Sequence, residues 1–73
     1  MALKKRSFSL SRHRTSVALE PEFWAVLEGE AQRAGKSLAA FVAEIDARRG
    51  MRPLASALRL TALAAAQAST HLR

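Results

Sequence analysis

The side chains best placed for chemistry in this chain are cations and hydroxyls on alternate residues. Arg14, Ser16 and Ala18 recur at two-residue spacing, and Thr15, Val17 and Leu19 fill the positions between them, after a polar break at Ser11-Arg12-His13. An extended backbone sends alternate side chains to opposite faces. This stretch therefore carries one face of guanidinium, hydroxyl and methyl groups and one face of apolar, β-branched groups. A guanidinium offers a planar fork of donors that suits an anionic partner, and a serine hydroxyl both donates and accepts. Other chemistry is excluded by what is missing. There is no cysteine, and the two histidines, His13 and His71, stand far apart. No histidine, cysteine and carboxylate cluster and no glycine-rich phosphate loop occurs, and a chain of 73 residues offers little room for a pocket. Catalysis, a metal site and a bound cofactor are therefore not expected.

Charge sharpens this reading. The net charge is +6, and it is segregated along the chain. Residues 1–19 hold Lys4, Lys5, Arg6, Arg12 and Arg14 with no acid, residues 20–46 hold all six acids, and residues 47–73 add five arginines. A basic segment on a more neutral body suits a polyanionic partner. No apolar run reaches the roughly 18 residues of a membrane span. The polar SFSLSRHR after the basic start does not read as a secretory leader. An organelle transit segment would fit the Arg and Ser content, but its removal would take the strand with it. The expectation is a cytoplasmic protein.

The elements that must position these groups follow from periodicity. Arg14–Leu19 alternates as a half-buried strand, and Lys4–Leu10, with Phe8 and Leu10, reads as either a second short strand or a flexible arm. Pro21 in a first turn flanked by Glu20 and Glu22 opens a helix carrying Phe23, Trp24, Leu27 and Ala31, which Gly35 ends. Gly29 inside it suggests a close approach of another backbone. Ser37 caps a second helix whose stripe is Leu38, Phe41, Val42 and Ile45, closed by Gly50. Pro53 opens a third, with Leu54 and Leu58 on one side, Leu60 and Leu63 on another, and an alanine-rich tail expected to fray. Trp24 and Phe41 are read as core rather than as base-stacking platforms.

One strand cannot satisfy its own backbone donors and acceptors. Pairing with its copy across a two-fold axis solves this, and leaves Arg14, Ser16 and Ala18 of both chains facing outward on a ribbon narrow enough for a DNA major groove. The expected fold class is mainly α with one N-terminal β-strand: a homodimer with an intermolecular two-stranded ribbon and an added C-terminal helix.

The run Arg14-Thr15-Ser16-Val17-Ala18-Leu19-Glu20-Pro21-Glu22-Phe23-Trp24, followed by Gly35-Lys36-Ser37-Leu38, resembles the ribbon-helix-helix family of DNA-binding regulators of the Arc and MetJ type, over about residues 4–64. That resemblance implies an intertwined dimer that inserts its ribbon into the major groove of double-stranded DNA. Arg12, Arg14, Ser16 and Ala18 would then face bases, and Lys36, Ser37 and the Leu38 N–H would grip phosphate. Lys4, Lys5 and Arg6 would form a basic arm along the backbone. The expected organisation is an arm or extra strand over 1–11, a ribbon-helix-helix core over 12–50, and a C-terminal helix over 51–73. The leading function is a transcriptional repressor on a palindromic operator. The alternatives are an antitoxin that binds a toxin through its C-terminal part, and a dimeric interaction module that does not bind DNA. Leu60 and Leu63 are expected to join dimers into tetramers or to bind a partner protein.

Overall fold

The computed structural model describes residues 2–71. Two strands, β1 (Lys4–Leu10) and β2 (His13–Leu19), precede three helices, α1 (Pro21–Arg33), α2 (Leu38–Arg48) and α3 (Leu54–His71). The strands form an antiparallel hairpin, with Lys4 opposite Leu19, Arg6 opposite Val17, Phe8 opposite Thr15 and Leu10 opposite His13.

This pairing corrects the sequence-based expectation of a lone strand. Lys4–Leu10 is a strand, and β2 finds its partner within the chain. The connection is two residues long, and both sit at positive φ, Ser11 at 50° and Arg12 at 69°. Positive φ at both central positions is what a type I′ turn requires, and that turn matches the right-handed twist of a hairpin. The usual residues there are Asn and Gly, which tolerate this region, so Ser-Arg carries no turn signature.

The hairpin lays one face on the helices. Phe8, Leu10, Val17 and Leu19 are buried together with Trp24, Leu27, Val42, Ile45 and Leu58. Leu19, Leu27, Val42 and Leu58 are fully closed to solvent within one chain, with Phe23, Val26, Leu38 and Phe41 partly buried around them. Trp24 ties the outer strand down. Its indole Nε1–H donates to the Lys4 carbonyl at 2.7 Å, and its ring lies 5.9 Å from that of Phe8. Trp24 is core, with 2% of its surface exposed.

The helix ends follow local chemistry. At the end of α1 the Gly35 N–H donates to the Gln32 carbonyl and the Lys36 N–H to the Ala31 carbonyl, a Schellman closure that needs the positive φ of 71° at Gly35. Ser37 caps α2, its Oγ accepting from the Ala40 N–H at 3.1 Å. Pro53 precedes α3, which buries Leu54 and Leu58 and continues to His71, through the segment expected to fray. Arg59 fastens α3 to the start of α1 by pairing with Glu20 at 3.1 Å. A hydrogen bond from its own backbone and the Arg59 pairing hold the Glu20 carboxyl below its usual range. Within the chain no other backbone closes on Gly29, since a Cβ there would meet nothing within 4 Å.

Three substitutions test this account by urea denaturation. Gly29→Ala should stabilise by about 0.5–1 kcal/mol, because only helix propensity changes. Trp24→Phe should cost about 1 kcal/mol, leaving the Lys4 carbonyl without its indole donor. Leu58→Ala should cost about 2–5 kcal/mol as a core truncation.

A basic sheet face as candidate nucleic-acid interface

The face of the hairpin turned away from the helices carries the candidate groups. Register places Lys5 opposite Ala18, Ser7 opposite Ser16 and Ser9 opposite Arg14, and these six side chains alternate with the buried set. All but the half-buried Ala18 are exposed. The Ser7 and Ser16 hydroxyls are hydrogen-bonded at 2.8 Å across the strands, so the centre of the face is an ordered pair of hydroxyls with cations on both sides. No carboxylate belongs to it. Its backbone adds to this: a two-residue turn makes Leu10–His13 a hydrogen-bonded pair, so the N–H and C=O groups of Lys5, Ser7 and Ser9, and of Arg14, Ser16 and Ala18, point to the two free edges.

The expected base-facing residues are thus brought together in part. Arg14, Ser16 and Ala18 share the outer face, and Arg12 stands exposed in the turn at the end of the hairpin. Lys5, Ser7 and Ser9 join them, which the sequence reading did not assign. The signal for it was the Phe8, Leu10 alternation, which fixes these residues to the opposite face once Lys4–Leu10 is a strand.

The basic arm does not stand free. Lys4, Lys5 and Arg6 all lie in β1, and alternation splits them. Lys5 faces outward. Arg6 lies on the helix side, where its guanidinium pairs with Glu28 at 2.6 Å and sits 5.3 Å from the centre of the Trp24 ring. Such a cation is engaged by the fold. Lys4 lends its carbonyl to Trp24.

At the other candidate site, Ser37 already accepts a bond from the Ala40 N–H, and Lys36 is paired with Glu44. The first N–H groups of α2, that of Leu38 among them, have no intrahelical acceptor, and the first turn holds no acid. That leaves the N-terminal end of α2 electropositive. Leu60 and Leu63 are apart from both sites, 45% and 48% exposed on α3. Among the described residues no group of His, Cys, Asp and Glu is placed to hold a metal, and no helix is long and apolar enough to cross a membrane.

Residues 3–66 match the family described as the ribbon-helix-helix domain. The match spans most of the chain, and the protein belongs to this family of DNA-binding regulatory modules, which are not enzymes. Family membership carries dimerisation as well as DNA binding. Comparison with curated proteins and with solved structures returned no match.

The split between Lys5 and Arg6 gives a test. Lys5→Ala should lower the slope of log affinity against log salt by about one on random duplex DNA. Arg6→Ala should leave that slope unchanged and instead lower the melting temperature. Equal slope changes for the two would put both side chains on DNA.

Proposed function

We propose that the protein is a sequence-specific transcriptional repressor, cytoplasmic and homodimeric, that reads a palindromic operator with the outer face of its β-hairpin. The observation that carries this reading is the composition of that face: Lys5, Ser7, Ser9, Arg14 and Ser16 all exposed, two cations and three hydroxyls with no acid.

The dimer forms by pairing the free edge of β2 with the same edge of a second copy, which yields a four-stranded antiparallel sheet. β2 is the strand that runs directly into the first helix, as in the family. Strands lie about 4.8 Å apart, so the two β2 strands occupy the middle of a major groove about 12 Å wide. The β1 strands then fall at its rims. Arg14, Ser16 and Ala18 reach base edges, Arg14 by a bidentate bond to guanine and Ala18 by contact with a thymine methyl. Lys5, Ser7 and Ser9 reach the phosphates that border the groove, and the first N–H groups of α2 with Ser37 supply a further anion contact. Lys36 contributes only by exchanging Glu44 for phosphate. The dimer carries +12, twice the +6 of one chain.

A second reading has its own support. Leu60 and Leu63 are exposed on one helix, and exposed apolar strips mark contact surfaces. They support a protein contact through α3, as an antitoxin or a non-DNA interaction module would need, or a contact that joins two dimers.

Sites selected from random duplex DNA supply the test. Affinity should fall steeply with salt, and Arg14→Ala should cost about 1–3 kcal/mol on the selected site while relaxing its sequence preference. Equal loss on selected and random DNA would reduce Arg14 to a phosphate contact. The edge is tested separately by light scattering. Ser16→Pro removes an N–H from the free edge of β2 and should abolish the dimer, while Ser7→Pro does the same to β1 and should leave it.

A further inference from the structure

At the C-terminal end of α2 an open cleft of about 370 Å³ lies between α2 and α3. Its apolar lining comes from Ile45, Ala57 and Leu60, and its cationic lining from Arg48, Arg49 and Arg52. Arg49 is held by Asp46 at 2.6 Å and by the Arg52 carbonyl at 2.7 Å. Arg48 and Arg52 are exposed and have no ion-pair partner among the described residues. Three guanidiniums thus line one cleft, and of the three only Arg49 has a carboxylate partner. Like charges lining one cleft repel, and an anion relieves that repulsion.

The chain itself has little to offer as that anion. Of its six acids, Glu20, Glu28, Glu30, Glu44 and Asp46 are engaged in ion pairs, which leaves Glu22. In a second copy the same five acids would be engaged in the same ion pairs, so it too would offer this rim only Glu22. Nor does the cleft share a surface with the electropositive start of α2, since eleven residues of helix separate its two ends by about 16 Å. The apolar lining also does not stop at the cleft. Leu63 continues it along α3 from Leu60, one turn away, and both are about half exposed. An occupant that uses all of this is longer than a small molecule and is apolar on one side.

We propose that this cleft is the docking site for an acidic amphipathic helix of a partner protein, with an apolar side chain seated between Ile45, Ala57 and Leu60 and carboxylates against Arg48 and Arg52. This deepens the reading of Leu60 and Leu63 as a protein contact and is independent of DNA binding by the hairpin. Apolar anchors supply the affinity and the charged rim supplies orientation and on-rate.

The test titrates the isotope-labelled full chain with a peptide of about 18 residues, leucine at helical spacing and glutamate elsewhere, and follows it by NMR. Signals of Ile45, Ala57 and Leu60 should shift. The paired substitution Arg48→Glu, Arg52→Glu should weaken binding by about tenfold or more, and Leu60→Ser should weaken it as well. Arg14→Ala and Lys5→Ala should leave it unchanged. Circular dichroism checks that the variants fold, and Arg48→Gln with Arg52→Gln replaces the reversal if they do not. Shifts centred on the hairpin, or equal weakening by Arg14→Ala, would reduce the effect to general attraction between opposite charges and overturn the proposal. So would normal binding by Leu60→Ser. Loss of affinity for random duplex DNA in the Arg48, Arg52 variants, with peptide binding intact, would assign the rim to phosphate instead. Tetramers that disappear in Leu60→Ser, Leu63→Ser would assign the face to a second copy.

Discussion

The register of β1 against β2 is the constraint on which the remaining structure depends. A strand shifted by one residue sends every side chain to the opposite face. In this hairpin such a shift would bury Lys5, Ser7 and Ser9 and expose Phe8 and Leu10. Two features hold the observed register. The two-residue turn at Ser11 and Arg12 fixes which residues face each other, and the indole bond from Trp24 to the Lys4 carbonyl fixes the far end of β1 to α1. The turn accepts two non-glycine residues at positive φ, a local cost that burial of Phe8, Leu10, Val17 and Leu19 offsets. The same alternation that buries those four presents the cations and hydroxyls outward. Folding and the candidate interface are therefore two faces of one pairing.

The helices serve that sheet. The Schellman closure around Gly35 ends α1 and Ser37 starts α2, and Trp24, Leu27, Val42 and Ile45 of the two helices share one buried cluster with the hairpin. α3 then closes the open side with Leu54 and Leu58, fastened to the start of α1 through Arg59 and Glu20. Leu54, Ala57, Leu58 and Ala62 of α3 are all buried, so the third helix adds a full stripe to the core of the chain.

The helices were legible in the sequence because each has local punctuation: Pro21 and Gly35, Ser37 and Gly50, then Pro53. The strand before α1 was legible from strict alternation. The hairpin was not, since its turn is Ser-Arg rather than Asn-Gly, and a turn enforced by tertiary packing leaves no local mark. From that one missing sign came the expectation of a lone strand and the grouping of Lys4, Lys5 and Arg6 as an arm. Arg14, Ser16 and Ala18 were assigned to one face correctly because period two is a property of the strand alone. The company of Lys5, Ser7 and Ser9 is a property of pairing. Leu54 and Leu58 against Leu60 and Leu63 separated as helical geometry requires, with the first pair buried and the second exposed.

The central claim is that the outer face of the β1–β2 hairpin reads DNA. Its most direct test follows side-chain NMR signals of the full chain as a duplex carrying a site selected from random DNA is added. The account predicts that Lys5, Ser7, Ser9, Arg14, Ser16 and Ala18 shift in strict alternation, while Arg6, Phe8, Thr15 and Val17 stay in place. Shifts confined to α3 and the arginines at the end of α2, with the hairpin silent, would contradict it.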